Sequence, residues 1–258
     1  LGEKDPAALP WAEMEVDLVL ECTGVFTTKP GLQEHLDAGA KRVILSAPAK
    51  GEEEVPFVVH GVNEAGDANI ISTASCTTNC IAPVIEVAGR RIGIEKAMMT
   101  TVHAYTGSQE VVDGPAGKWR RGRAAAVNFV PTSTGAAKAT TKALPEYEGR
   151  FDGVAIRGPV PAGSIVDITL VTSRETSIGE VNRIFEEEAN GDRYRGIMGV
   201  TDEPIVSSDI IRDPRASVVD LTMTNVVGGD LVKVMAWYDN EWGYAAQMVR
   251  EAARVSSA

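Results

Sequence analysis

The sequence predicts an α/β protein in two parts. A partial doubly wound parallel sheet of the Rossmann type comes first, followed by an α+β domain on a largely antiparallel sheet. Three observations carry this reading. Residues 16–46 run strand, helix, strand over about 30 residues, the length of one βαβ unit. Residues 154–238 hold four β-branched, alternating runs. Between the two parts, Ser75-Cys76-Thr77-Thr78-Asn79-Cys80 joins an apolar run to a helical one.

In chain order, the apolar run Val16 to Cys22 stops at Thr23-Gly24, as a buried strand does. Pro30 to Ala40 has a helical pattern, with Thr28 or Lys29 near its start and Gly39 near its end. Arg42 to Ser46 is the next strand, stopped by Pro48, and such a unit is parallel and right-handed by strong precedent. Phe57 to Asn63 and Asn69 to Thr73 read as two further strands. The G-x-G-x-x-G fingerprint of a dinucleotide sheet does not occur here. Either the sheet binds no dinucleotide, or its first βαβ unit precedes Leu1. Residues 81–91 read as a helix with Pro83 in its first turn, where a missing N–H costs little. Ala97 to His103 is a strand, and Ala104 to Asn128 is a long loop rich in Gly, Arg and Ala, of a length that is usually functional. Ser133 to Leu144 is helical. The strands Val154 to Val160, Ile165 to Ser173, Val218 to Val227 and Leu231 to Tyr238 follow, the last two joined by a tight Gly228-Gly229-Asp230 hairpin. Ser177 and Glu180, at capping-box spacing, open a helix to Ala189, and Gly243 to Val255 forms the last one.

At 258 residues, 44% hydrophobic and 24% charged, the composition is that of an ordinary globular protein. No window approaches the roughly 18 apolar residues of a membrane span. The start, Leu1-Gly2-Glu3-Lys4-Asp5, is not a signal peptide and lacks methionine, so we expect the chain to begin inside a longer one. Three cysteines make no disulfide framework and suggest a reducing cytoplasm. Cys76-x3-Cys80 lacks the partners of a zinc set, so no metal is expected. A net charge of −11 argues against general nucleic-acid binding, and makes local arginine clusters the informative feature.

The Cys76 thiol sits where a strand meets a helix N-terminus, a place that favours thiolate. It therefore reads as a nucleophile in want of a base. Of His35, His60 and His103, only His103 stands at a strand end where a long loop begins. The competing reading makes Cys76 a small buried hydrophobe and His103 a core residue.

The wider sequence decides between them. Ala74 to Cys80, Thr101-Val102-His103-Ala104-Tyr105-Thr106, Pro131 to Lys138 and Trp237-Tyr238-Asp239-Asn240-Glu241-Trp242-Gly243-Tyr244, in this order, resemble phosphorylating glyceraldehyde-3-phosphate dehydrogenases. The resemblance covers essentially the whole chain, without the family's glycine fingerprint, and implies three parts: 1–75, the second half of a dinucleotide-binding domain; 76–240, the catalytic domain; and 241–258, a helix returning to the first. It implies oxidative phosphorylation of glyceraldehyde 3-phosphate to 1,3-bisphosphoglycerate, with Cys76 as the thiolate that forms a thioester and His103 as its base. It implies that Arg157 and Thr106 hold the substrate phosphate, that Ser75, Thr77, Thr134 and Gly135 bind the attacking inorganic phosphate, and that Arg121 lies close to both. Asn240 would hold the nicotinamide carboxamide of NAD or NADP, with Tyr244 packed nearby. By themselves, Arg120, Arg121 and Arg123 read equally as a solvated cluster.

Ser108 departs from the Asp that many members carry beside the substrate phosphate. Gly114 stands where many NAD-preferring members have Leu, while Pro115 fits the NAD pattern. The resemblance further implies a cytoplasmic homotetramer with the loop 104–128 at a subunit interface. An erythrose-4-phosphate dehydrogenase, or a non-catalytic interaction protein that keeps the fold, is the alternative. Residues 1–258 alone, without the pyrophosphate cradle, are expected to bind a dinucleotide poorly and to be inactive.

Overall fold

The computed structural model describes residues 2–256. The first part is a three-stranded parallel sheet in the order β1 (Leu18–Glu21), β2 (Arg42–Leu45), β3 (Ile70–Ser72). Helix α1 (Lys29–Asp37) makes the crossover, with Pro30 in its first turn. Side chains alternate across a strand, and both faces of this sheet are covered. Val43 and Leu45 pack with Val19, Leu32 and Ile70, whereas Ile44 and Ile71 meet Met248, Ala252 and Val255 of the last helix, α5 (Trp242–Ser256).

Phe57 to Asn63, expected as a strand, is not one. Phe57 makes a single parallel bridge to Ser72, and the chain then turns. Asn63 explains the turn: its Oδ1 accepts from Val59 N at 2.9 Å and its Nδ2 donates to Phe57 O at 2.8 Å. A side chain that bonds its own backbone locally competes with the ladder.

The second part is a seven-stranded sheet in the order β5-β6-β4-β7-β10-β9-β8. Its strands are β4 (Ile94–Ala104), β5 (Val130–Ser133), β6 (Phe151–Gly158), β7 (Ser164–Thr172), β8 (Met198–Thr201), β9 (Ser217–Val227) and β10 (Leu231–Tyr238). β4 runs parallel to β6 and β8 to β9; the other pairs are antiparallel. The β9–β10 hairpin turns through Gly228 and Gly229, with φ of 64° and 87°, the left-handed values that glycine tolerates. One face of the sheet is covered by α2 (Cys76–Ile92), α3 (Ala136–Ala143) and α4 (Ile178–Asn190). Ile81, Val84 and Ile85 share a buried cluster with Ile168, Val234, Val181 and Phe185. Ser177 caps α4 as its spacing predicts, accepting from Glu180 N at 3.2 Å.

Helix α2 differs from expectation in a way that matters for the site. It begins at Cys76, so Pro83 lies inside it and leaves the Asn79 carbonyl without its usual donor. The helix start is set by Ser75, whose Oγ accepts from Thr78 N at 3.2 Å. Cys76 is thus the first helical residue, directly at the positive end of a 17-residue helix.

Candidate active site

The path from β3 into α2 is tight. Ala74 is fully buried and adopts φ 57°, a left-handed value uncommon for a residue with a Cβ. Such strain persists where the surroundings over-determine it, and here they do. Asn79 Nδ2 donates to Thr73 O at 2.8 Å and to Ser75 O at 2.9 Å. Ser72 Oγ accepts from Ala74 N, and the Tyr244 hydroxyl reaches Thr73 Oγ1 at 2.9 Å from α5. The Cys76 thiol is held by these bonds on both sides of the bend.

The ring nitrogen that faces it comes from the large sheet. His103, near the end of β4, places Nε2 3.3 Å from Cys76 Sγ. The other two histidines have structural partners. His35 sits between Trp11 Nε1 and Glu21 Oε2, at 3.2 and 3.1 Å, and His60 Nδ1 is 2.9 Å from Glu251. In the parallel β4–β6 register His103 lies beside Arg157. Arg157 Nη1 stands 2.6 Å from His103 Nδ1 and donates to Ala104 O at 3.0 Å, while that carbonyl is 2.7 Å from Nδ1. The ring nitrogen cannot serve both neighbours: it donates to the carbonyl or accepts from the guanidinium. Either choice leaves one unfavourable contact while Arg157 stays there.

Burial works here against the thiolate that the helix N-terminus favours. Burial pushes the Cys76 thiol up, and bonds to Thr77 and the Arg157 charge only partly oppose it. Burial, then the Arg157 charge, brings His103 down to about 4. Burial thus disfavours the charged form of both groups.

The residues expected to bind anions fall into two groups. Thr106 Oγ1 is 2.9 Å from Ser108 Oγ, which accepts from Arg121 Nη1 at 3.2 Å; Arg121 Nε donates to Thr132 Oγ1 at 3.2 Å. Arg121 and Arg157 each lower the His103 pKa, so all three share one electrostatic neighbourhood. The bonded partners of these two arginines are hydroxyls, an imidazole and a carbonyl, and Arg157 Nε is buried with none. Arg90, Arg91, Arg174, Arg193 and Arg215 pair with carboxylates, while Arg150, like these two, bonds only uncharged groups but lies away from the thiol. Two cations without countercharge are what an anion site needs.

The second group joins two helix N-termini. Ser75 Oγ is 2.9 Å from Thr78 Oγ1, which donates to Ala136 O at 3.5 Å, and Thr134 Oγ1 accepts from Ala136 N at 3.1 Å. Gly135 caps α3 with no side chain in the way. Thr77 is the exception. Its hydroxyl turns inward to Tyr238 OH at 2.9 Å and lies 4.0 Å from Cys76 Sγ, so it serves the core and the thiol.

Residues 75–240 match the family model described as glyceraldehyde 3-phosphate dehydrogenase, C-terminal domain. The chain belongs to the glyceraldehyde-3-phosphate dehydrogenase family. It is 51% identical over 249 residues to the glyceraldehyde-3-phosphate dehydrogenase of Haloarcula vallismortis, covering 96% of this chain and 74% of that one. The protein of that name from Mycobacterium bovis is 51% identical over 247 residues, covering 95% and 72%. That of Zymomonas mobilis is 47% identical over 258 residues, covering 99% and 76%.

The family motifs come together in space, and the structure adds residues that sequence reasoning missed. Asp239 fixes the start of α5, its Oδ1 accepting from Glu241 N and Trp242 N at 2.8 and 2.9 Å. This holds Asn240 between β10 and α5. Asn240 is buried, and its Oδ1 accepts from Ser164 Oγ at 3.0 Å. Tyr238 joins Thr77 to Thr101 through its hydroxyl and meets the His103 ring edge-on at 5.9 Å. Buried hydroxyls such as Ser164 and Thr101 carry no signal in a single sequence. Asp239 does, as an Asp just ahead of a helix. Among the described residues no three His, Cys, Asp or Glu side chains gather as a metal site, and no helix is long and apolar enough to cross a membrane.

Proposed function

We propose that the chain carries the catalytic apparatus of a glyceraldehyde-3-phosphate dehydrogenase, forming an acyl phosphate from the triose phosphate and inorganic phosphate through a thioester on Cys76. The observation that supports this most is the Cys76 Sγ–His103 Nε2 contact at 3.3 Å beside two arginines without carboxylate partners.

The residues present suit the nicotinamide end of a dinucleotide. Asn240 has its acceptor taken by Ser164 and keeps its amide donors for a carboxamide oxygen, with Tyr244 alongside on α5. A bound NAD or NADP would supply the hydride acceptor. The chain's own groups do the rest. A substrate phosphate held by Arg157 and Thr106 draws the guanidinium off His103, so that Nδ1–H can donate to Ala104 O while Nε2 takes the thiol proton. The thiolate then adds to the aldehyde carbon, and the carbonyl oxygen collects the proton. As hydride departs, His103 Nε2 accepts the hydroxyl proton and a thioester remains. Inorganic phosphate at Arg121, Thr134 and the N-termini of α2 and α3 attacks that thioester, and the Cys76 sulfur leaves. Ser75 serves this site by capping α2, and Thr77 and Gly135 by offering backbone N–H groups. Residues 1–75 and 241–258 belong to the nucleotide-binding side of this scheme and 76–240 to the catalytic side. A homotetramer in the cytoplasm is part of the same reading.

The test is formation of reduced cofactor by the full-length protein. Turnover is expected to require both glyceraldehyde 3-phosphate and inorganic phosphate, and to vanish in Cys76→Ser. Turnover that survives that substitution would assign the chemistry to another group.

A further inference from the structure

Ser164 is the first residue of β7 and is 1% exposed. β7 lies between β4 and β10 in the sheet, so its hydroxyl reaches the ends of both neighbours. Ser164 Oγ accepts from Ala104 N at 3.1 Å and donates to Asn240 Oδ1 at 3.0 Å. Ala104 ends β4, and its carbonyl is the one 2.7 Å from His103 Nδ1.

The proton count fixes the amide. The Ala104 N–H can only donate, so the single hydroxyl proton of Ser164 is free for Asn240, and Asn240 must turn its oxygen toward it. A flipped amide would donate to the second lone pair of Ser164 Oγ, but it would leave the hydroxyl proton without the Asn240 acceptor in a buried place. That penalty selects one orientation.

We propose that Ser164 is a positioning residue for the cofactor site: it sets the Asn240 amide so that its donors face a ligand, and ties that orientation to the strand end that carries His103. The proposal rests on the reading of Asn240 as the carboxamide partner. Without the hydroxyl, Asn240 Oδ1 loses its anchor, the amide rotates between two orientations, and the donors are presented only part of the time.

The test is a double-mutant cycle on NAD binding, measured by calorimetry on the full-length protein with Ser164→Ala, Asn240→Ala and both together. Ser164→Ala is expected to weaken binding about tenfold, one hydrogen bond's worth. In the Asn240→Ala background it should change affinity by less than about twofold. Ser164→Cys, which keeps the shape and a weak donor, should fall between wild type and Ser164→Ala, and keeps the test open if the alanine variant folds poorly. An equal loss in both backgrounds would make Ser164 merely structural and overturn the proposal. So would wild-type affinity in Ser164→Ala when Asn240→Ala binds weakly. Unchanged affinity in Asn240→Ala itself would remove the Asn240 reading on which the proposal stands.

Discussion

His103 is buried and held neutral, with a pKa of about 4 against an ordinary value of 6.5. Its sign in pH dependence follows. Between pH 6.5 and 4 the unfolded chain binds a proton at this residue that the folded chain refuses. Stability from this group is complete above 6.5 and is lost as pH falls toward 4, with a slope approaching about 1.4 kcal/mol per pH unit. Urea unfolding of wild type and His103→Asn at pH 7, 6 and 5 should show the variant losing less stability on acidification; parallel profiles would contradict the assignment. Arg157 holds the ring down, so its removal should raise the His103 titration seen by NMR. In turnover, Arg157→Ala should weaken use of the phosphorylated aldehyde by about 10- to 150-fold relative to an unphosphorylated one, the range for a bond to a charged group. Equal losses on both would place Arg157 away from the substrate phosphate. That Cys76 and His103 meet was legible from a cysteine at a helix start and a histidine at a strand end, and Arg121 and Arg157 were singled out by the family resemblance. The contact of Arg157 with His103, and the inward turn of Thr77, come from strand register and burial, which residue order does not encode.

The bend between β3 and α2 does most to fix the thiol. Ala74 with φ 57° would relax if the bonds around it were cut. Asn79, 3% exposed, supplies two of them, to Thr73 O and Ser75 O. Asn79→Ala leaves those carbonyls short of a partner and should cost about 2–3 kcal/mol in denaturant unfolding. Its turnover should fall further than its stability alone explains, because Cys76 follows the bend directly. A variant as stable as wild type would show that the bend is held by other groups. At this scale the sequence misled in specific places. Pro83 looked like a helix start, but the polar run ahead of it, capped by Ser75, was already helical. β5 and β8, four residues each, are too short to show alternation, and neither Val-Pro-Thr-Ser nor Met-Gly-Val-Thr stands out as a strand. The longer strands and α4 were readable from alternation and from the Ser177–Glu180 pair.

The site is assembled from both sheets. Cys76 comes from the segment that leaves the small parallel sheet, His103 and Arg157 from neighbouring strands of the large one, and Asn240 and Tyr244 from the link into α5. Helix α5 ties the parts together, with Met248, Ala252 and Val255 packed on Ile44 and Ile71 and the buried Glu251 bonded to His60. The reading of a parallel unit followed by a mostly antiparallel sheet was available from patterns of period two and 3.6. The return of the last helix to the first part was expected from the family resemblance, while the side chains that make the contact depend on tertiary packing. The covalent intermediate proposed on the Cys76 sulfur can be observed directly. The full-length protein would be incubated with glyceraldehyde 3-phosphate and NAD in the absence of phosphate, quenched in acid, digested and analysed by mass spectrometry. The account predicts a 3-phosphoglyceroyl adduct on the peptide that contains Cys76, absent in Cys76→Ser and discharged by added inorganic phosphate. Reduced cofactor formed without any adduct at Cys76, or an adduct on Cys22 or Cys80 instead, would contradict it.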